Sequence, residues 1–148
     1  MVQLSNALCI NIDMKVTYSL SEENIKQLYS LYQEEWWTKG RTLKETKKVV
    51  AESQINIGIL DSQNILIGYA RVLTDFTFKA IIFDVIVSES HRDKGLGKRI
   101  MRLIKNHEML ASVKSYELYC LPEMFEFYES LGFSTDVAGI KLMRCANA

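Results

Sequence analysis

The chain has 148 residues, of which 48% are hydrophobic and 24% charged, a composition that indicates one ordinary globular domain. Its 18 lysine and arginine residues balance 18 aspartate and glutamate residues, and this zero net charge argues against a general nucleic-acid binder. The three cysteines are odd in number and widely spaced, and no histidine stands at metal-ligand spacing, so we expect reduced thiols and no metal. No apolar run approaches the roughly 20 residues that span a bilayer. We therefore expect a cytoplasmic protein with no membrane partner.

The N-terminal third of the sequence predicts a strand followed by two helices. Residues 10–19 alternate loosely and predict the first strand, while residues 1–13 fit either a short extension or a part of the domain. Ser21 is a typical N-cap, and apolar residues then recur at helical spacing as far as Trp37. After a break at Gly40, a capping box that begins at Thr42 predicts a second helix to about Glu52.

Three strands are predicted next, over residues 55–60, 65–73 and 80–87, joined by two polar turns. A helix follows from about residue 96 to residue 107, and a further strand covers residues 116–120. Pro122 suits the first turn of a last helix that ends near Gly132.

The C-terminal tail, residues 133–145, is expected to hold two strands around Gly139. The whole order predicts a single α+β domain over residues 1–148, with a mixed, mostly antiparallel sheet of about seven strands flanked by four helices.

The segment between the strand at 80–87 and the helix that follows it has the features of an anion cradle. Gly95 and Gly97 allow left-handed backbone angles and a close approach to a ligand. The first amides of a helix are unpaired, and the helix dipole adds partial positive charge. Four basic side chains surround the turn: Arg92, Lys94, Lys98 and Arg99. A phosphate or pyrophosphate suits this arrangement best.

Two motifs connect the chain to a known family. Arg92-x-x-Gly95-x-Gly97 after an apolar strand resembles the acyl-CoA pyrophosphate loop of the GNAT N-acetyltransferase superfamily. The segment from Phe127 to Phe133, Phe-Tyr-x-x-x-Gly-Phe, resembles a second motif of that family. A glycine loop alone is a weak signal. The two motifs in the family's order and spacing are a strong one, and the resemblance extends from about Asn24 onward.

The resemblance implies a GNAT-like fold with acetyl-CoA as the acyl donor. The pyrophosphate would lie on the loop formed by Arg92, Asp93, Lys94, Gly95, Leu96, Gly97 and Lys98. The preceding strand would bind the pantetheine arm through the backbone of Val85, Ile86 and Val87, with the Val85 amide as the donor to the oxyanion.

Tyr128 occupies the position of the family's general acid. A phenol with an ordinary pKa near ~10 stays protonated at neutral pH and can donate a proton to a thiolate. The alternative is a core tyrosine, because Phe125, Tyr128 and Leu131 share one face of the predicted helix.

Asp84 is an acidic residue within an apolar strand, where a carboxylate is costly unless it is paired or functional. It is a candidate to hold the acceptor ammonium or to help remove its proton. The equal alternative is a carboxylate bonded to a neighbouring backbone group or basic side chain. Many members of the family place a glutamate nearby as the base, but Phe83 stands just before Asp84 here.

The family's acceptor pocket lies between the first two helices and the strands that face them. Its candidate residues in this chain are Trp36, Trp37, Arg41, Asp75 and Phe76. Each of three candidates also has a simpler interpretation: Trp36 as a core residue, Arg41 as a solvated loop charge and Asp75 as a turn residue.

The sequence therefore favours an enzyme that moves an acetyl group from acetyl-CoA to a primary amine of a small molecule or peptide, by direct attack in a ternary complex. One alternative is an acyl-CoA-binding regulatory protein without turnover. A nucleotide-binding domain is disfavoured, because the loop lacks both the Gly-Lys-Ser/Thr ending and the third glycine of those folds. The chain is expected to be a monomer or a homodimer.

Overall fold

A computed structural model describes residues 13–147 as one sheet with helices on both of its faces. The strands are β1 (Lys15–Thr17), β2 (Ile55–Leu60), β3 (Leu66–Thr74), β4 (Lys79–Val87) and β5 (Ser115–Leu118). The α-helices are α1 (Glu22–Glu34), α2 (Leu43–Glu52), α3 (Leu96–Lys105) and α4 (Phe125–Glu129). Short 3-10 turns cover Glu89–His91, Glu108–Leu110 and Pro122–Met124.

The strands lie side by side in chain order, from β1 to β5. Strands β1 to β4 are antiparallel to one another in succession, and β5 is parallel to β4. A parallel neighbour needs a long crossover connection, and α3 supplies it. The prediction of a mixed, mostly antiparallel sheet with four helices is confirmed.

Two apolar cores lie on the opposite faces of the sheet. Alternate residues of β3 show the division, because Ala70 and Val72 pack with α3 and α4 whereas Tyr69 packs with α1. On the first face, α3 contributes Ile100 and Met101, both fully buried. Removing a buried leucine or isoleucine side chain from such a core costs about 2–5 kcal/mol.

Helices α1 and α2 begin at capping boxes. Ser21 accepts a hydrogen bond from the Asn24 amide, and the Asn24 side chain accepts one from the Ser21 amide. Thr42 and Glu45 make the same exchange at α2, as its sequence predicts. The prediction that α1 extends to Trp37 is wrong, because the backbone becomes extended at Glu35.

The prediction of about seven strands is also wrong, because five are present in residues 13–147 and none of them lies beyond Leu118. Ala138 and Gly139 have positive φ angles and form a tight turn that is closed by the Ile140 amide and the Val137 carbonyl. This is the geometry of a two-residue hairpin turn. The segments on either side of the turn make no ladder with each other or with β5, and a strand exists only where a neighbouring strand pairs with it.

The described part of the chain includes no helix with the length and hydropathy needed to cross a membrane. Residues 1–12 lie outside the described part of the chain. They include Cys9, the start of the predicted first strand and all of the proposed N-terminal extension except its last residue, Asp13.

Candidate functional site

The middle of β4 is distorted, and the candidate site is built around this distortion. The β3–β4 register shifts between Tyr69 and Arg71, so that Asp84 and Val85 together oppose the single residue Ala70. A β-bulge of this kind bends the strand and re-aims its side chains. Asp84 has a φ of 56°, a left-handed conformation that aspartate tolerates better than most residues. The bulge therefore brings an acidic side chain onto the α1 face of the sheet.

Directly after the bulge, β4 parts from β5. The parallel ladder ends at the pair Ile82 and Leu118, so residues 83–87 have no partner on the β5 side among the described strands. Unpaired backbone groups of a strand can bind an extended ligand in the manner of an added strand. The predicted pantetheine-binding residues, Val85, Ile86 and Val87, all lie in this unpaired stretch.

The glycine loop, residues 92–98, connects β4 to α3 through the 3-10 turn. Gly95 caps α3 with a φ of 77°, and apart from its neighbours in the chain no described atom lies within 4 Å of the position of an added Cβ. The Arg92 amide donates to the Glu89 carbonyl, and the next amide with a backbone acceptor is that of Arg99, which donates to the Gly95 carbonyl. The amides of Leu96, Gly97 and Lys98 are therefore available for an anion, as the sequence predicts.

Gly97 has a different role from Gly95. Its φ is ordinary for a helix, but an added Cβ would lie 3.2 Å from Cζ of Phe127 in α4. The glycine therefore allows the start of α3 to pack closely against α4. Leu96, which precedes it, is buried in the core that also includes Tyr128. The loop is thus fixed by packing on its inner side and remains open on its outer side.

The basic side chains of the glycine loop differ in their partners. Arg92 donates to the Val87 carbonyl and forms an ion pair with Glu35, just after α1. Lys94 and Lys98 are exposed and have no ion pair among the described residues. Two lysines are therefore free to bind an anion, while Arg92 ties the loop to the end of α1.

Tyr128 lies in the core between α3, α4 and the sheet. Its ring is buried and meets Phe127 and Phe133 edge to face, at centroid distances of 4.9 and 5.9 Å. The hydroxyl has no hydrogen-bond partner among the described residues and is not one of the fully buried atoms. Burial, with a smaller contribution from Cys120, raises the pKa of Tyr128 to about 12. The side chain therefore combines both sequence interpretations, a core ring with a protonated, unpaired hydroxyl.

Asp84 is the centre of a group that we call the bulge cluster: Tyr32, Arg41, Arg71 and Asp84. Arg41 binds both carboxylate oxygens, at 2.7 Å from Nη1 to Oδ2 and 3.2 Å from Nη2 to Oδ1. Nε of Arg71 lies 2.7 Å from Oδ2, and the Tyr32 hydroxyl donates to the same oxygen at 2.8 Å. Of the two interpretations of Asp84, the structure displays the carboxylate paired with basic side chains.

The bulge cluster keeps Asp84 ionised. Burial alone would raise the pKa of this carboxyl, but the hydrogen bonds and charges of Arg41 and Arg71 outweigh burial and hold the pKa below its usual value. Burial and the charge of Asp84 raise the pKa of the Tyr32 hydroxyl far above its ordinary range, so Tyr32 stays a neutral donor.

The other predicted acceptor residues are divided between two ends of the molecule. Trp36 and Trp37 follow α1 and are 72% and 40% exposed, so Trp36 is a surface residue and not a core residue. Asp75 accepts hydrogen bonds from the amides of Thr77, Phe78 and Lys79 in the β3–β4 turn.

That turn precedes β4, and Asp84 lies five residue steps along the strand from Lys79, a distance of roughly 17 Å. The structure thus brings Arg41 to the bulge and leaves Asp75 and Phe76 at the far end of the strand.

The sequence analysis missed Tyr32, Arg71 and Glu35. Arg71 is the only charged residue of β3, and an isolated charge in an apolar strand next to the strand of Asp84 was a usable signal for a cross-strand ion pair. Among the described residues, no three histidine, cysteine, aspartate or glutamate side chains are grouped closely enough to share a metal ion.

Comparison with known proteins shows which family this chain is similar to. A family model described as an acetyltransferase (GNAT) domain matches residues 48–135. The uncharacterized N-acetyltransferase ycf52 of Pyropia yezoensis is 32% identical over 140 residues, which cover 91% of this chain and 80% of that protein. GCN5-related N-acetyltransferase 1, chloroplastic, of Arabidopsis thaliana is 28% identical over 145 residues, covering 86% of this chain and 73% of that one.

The fold has counterparts among solved structures. A protein assigned to the GNAT family from Xanthomonas campestris pv. campestris superposes with a TM-score of 0.77 at 23% identity, covering 90% of this chain and 93% of that chain. At this identity the likeness concerns the fold.

Proposed function

The chain belongs to the GNAT acetyltransferase family, and from this premise we propose that it transfers the acetyl group of acetyl-CoA to a primary amine. One observation supports the proposal above the others. The stretch of β4 without a β5 partner, the open glycine loop and the unpaired hydroxyl of Tyr128 belong to adjoining elements, with Val85, Val87 and Leu96 in the same core as Tyr128.

The donor would be held by two kinds of backbone group. The free amides at the start of α3, with Lys94 and Lys98, suit a pyrophosphate, because helix N-termini and ammonium groups both favour negative charge. The open space where a Cβ of residue 95 would lie leaves room for phosphate oxygens. Residues 83–87 of β4 would hydrogen-bond the pantetheine arm, and the Val85 amide, displaced at the bulge, would donate to the thioester oxygen.

The reaction itself is a direct exchange at the acetyl carbon. A carbon–nitrogen bond to the neutral amine forms and the carbon–sulfur bond breaks. The amine loses one proton and the departing sulfur gains one, so CoA leaves as a thiol. Tyr128 is our candidate for the donor of that second proton, because its hydroxyl has no other partner.

Asp84 would act as a positioning residue. Both carboxylate oxygens are occupied by guanidinium groups, and its lowered pKa makes it a poor proton acceptor. Its contacts instead hold the bulge that displaces Val85. We therefore propose that the amine proton leaves to solvent and not to this carboxylate.

The acceptor and the cellular location stay predictions. A small molecule or a peptide amine is compatible with the family, and one Arabidopsis relative is named chloroplastic, so the expected cytoplasmic location needs a direct test by fluorescence microscopy of a tagged chain. A monomer or homodimer remains the expected assembly, and light scattering at two concentrations measures it.

The first test is Tyr128→Phe, which removes one hydroxyl from a buried ring. We expect the rate of thiol release from acetyl-CoA with an accepted amine to fall at least about tenfold, because general acid catalysis typically contributes more than that. Calorimetric CoA binding should stay within about twofold. Tyr18→Phe is the matched control, because Tyr18 follows β1 at the opposite edge of the sheet and is exposed.

Two outcomes would contradict parts of this proposal. An unchanged rate in Tyr128→Phe would remove Tyr128 from the chemistry. CoA binding without turnover on any amine would favour the alternative, an acyl-CoA-binding regulatory protein, and a folded chain that binds no CoA would overturn both.

A further inference from the structure

The bulge cluster has a charge that its own members do not balance. Arg41 and Arg71 share the single carboxylate of Asp84, which leaves one surplus positive charge. Tyr32 in the cluster and Tyr69 beside it stay neutral because burial raises the pKa of both phenols. A partly buried charge without a counter-charge is costly. A ligand with a negative charge would offset this cost.

Arg71 has the geometry to bind such a ligand. Only its Nε bonds to Asp84, and neither Nη1 nor Nη2 has a hydrogen-bond partner among the described residues. The side chain is 13% exposed, and neither nitrogen is fully buried, so both keep some contact with solvent. The guanidinium lies 4.9 Å from the centre of the Phe83 ring, close enough for a cation–π contact that helps to hold it in place. Two parallel N–H groups held in this way match a carboxylate or a phosphate.

Arg41 supports the same conclusion from the other side. Its two Nη atoms are occupied by Asp84, and its side chain, 29% exposed, lies 4.6 Å from the centre of the Tyr32 ring. Arg41 therefore holds the carboxylate. Arg71 is the arginine with a free edge, which is formed by its Nη1 and Nη2. The two side chains also reach Asp84 from different elements, the α1–α2 connection and β3.

The position of this free edge suits binding of the acceptor amine and not of the acyl donor. Asp84 stands immediately before Val85, whose amide we assign to the thioester oxygen, but its side chain lies on the α1 face. The glycine loop and Tyr128 belong to the core of the α3 face. An anion at Arg71 would thus be separated by the sheet from the pyrophosphate site while remaining near the reacting carbonyl.

Resting on the proposed function, we propose that Nη1 and Nη2 of Arg71 bind a carboxylate or phosphate group of the acceptor, so that the substrate is an amine that also carries an anion. Simple polyamines, which have several ammonium groups and no anion, are poor substrates for this site.

The test compares amines in matched pairs that differ by one anionic group: tyramine and tyrosine, ethanolamine and phosphoethanolamine, glucosamine and glucosamine-6-phosphate. Thiol release is measured with wild-type protein, Arg71→Lys and Arg144→Gln, and kcat/KM is expressed per concentration of unprotonated amine. Lysine keeps the positive charge and can pair with Asp84, but it has no planar pair of donors. Arg144→Gln removes an arginine from the exposed tail and serves as the control.

We expect the anionic member of at least one pair to be preferred about tenfold or more, as for charge-assisted hydrogen bonds. Arg71→Lys should raise KM for that member about tenfold more than it raises KM for the neutral member. A purely structural role of Arg71 would instead change both members of a pair alike. The tyrosine pair reports on carboxylate, and the other two pairs report on phosphate.

Equal use of both members in all pairs, or a preference that survives Arg71→Lys, would overturn the inference while the acetyltransferase stands. If CoA binds but no amine is acetylated, the three anionic amines are titrated calorimetrically into the CoA complex. The inference is also overturned if none of them binds. A folded chain that binds no CoA would contradict the proposed function itself, and with it the acceptor site that rests on that function.

Discussion

Two positively charged regions lie next to the bulged strand β4, and they are built in opposite ways. The glycine loop is contiguous in sequence and exposed, and its charge comes from free lysines and helix amides. The bulge cluster consists of four residues, one each from α1, the α1–α2 connection, β3 and β4. Its two arginines form ion pairs with a buried carboxylate. The first can bind and release a large anion with little rearrangement, whereas the second holds the strand in shape and offers one free edge.

This comparison predicts that the bulge cluster matters most for stability. Asp84→Ala should lower the free energy of unfolding by about 3 kcal/mol, because it leaves two partly buried guanidinium groups without their counter-charge. Alanine also tolerates the left-handed φ of 56° less well than aspartate. Urea denaturation followed by circular dichroism measures the change.

Asp84→Asn is the matched control for that experiment. Asparagine keeps an oxygen acceptor and tolerates the same backbone angle, so it should lose less stability than alanine does. Equal losses in the two variants would assign the effect to the charge of Asp84, because both variants lack it, and not to the oxygen acceptor or the backbone angle. A loss below about 1 kcal/mol in Asp84→Ala would contradict the proposed structural role of the cluster.

The same comparison explains which parts were predictable from sequence. The glycine loop was found because spacing along the chain, Arg92-x-x-Gly95-x-Gly97, is itself the signal. The bulge cluster was missed because Tyr32, Arg41, Arg71 and Asp84 meet only after the sheet has formed. Sequence periodicity reports which face a residue occupies, but it does not report which residue lies opposite.

Errors in the elements have similar causes. Trp36 continues the apolar spacing of α1, yet the helix ends at Glu34 and the indole is exposed. Glu35 ends the helix in an extended conformation and pairs with Arg92, a contact that no local pattern indicates. The tail has the alternation of strands and a hairpin turn at Gly139, but strand formation depends on a pairing partner that a sequence window does not contain.

A smaller effect is expected at the two glycines of the loop, which differ in what an alanine would meet. Gly95→Ala should cost about 1 kcal/mol of stability, since its φ of 77° is unfavourable for a residue with a Cβ, and it should weaken CoA binding further by placing a methyl group where phosphate oxygens are expected. Calorimetry and urea denaturation separate the two effects.

Gly97→Ala is the companion variant. Its φ is helical, so the expected disturbance comes from the contact with Phe127 and is partly offset by the better helix propensity of alanine. CoA affinity should therefore fall less than in Gly95→Ala. The reverse order would mean that α3–α4 packing, and not the open turn, controls the anion site.

The smallest effect concerns a single exposed lysine of the glycine loop. Lys98→Gln should weaken CoA binding only a few-fold, because an exposed ammonium interacts with an anion through water and is screened by salt. The difference from wild type should shrink as the salt concentration rises from 0.05 to about 0.5 M, where the Debye length is only a few ångströms. Unfolding free energy should not change.

Lys48→Gln, on the exposed surface of α2, is the control for net charge. A salt-independent loss of affinity in Lys98→Gln would indicate a directed, desolvated contact to the ligand, and the glycine loop would then resemble the bulge cluster more closely than its exposure suggests. A salt-sensitive loss shared equally by Lys48→Gln would instead assign the effect to the overall field of the protein, leaving the free amides of α3 as the principal anion donors of the loop.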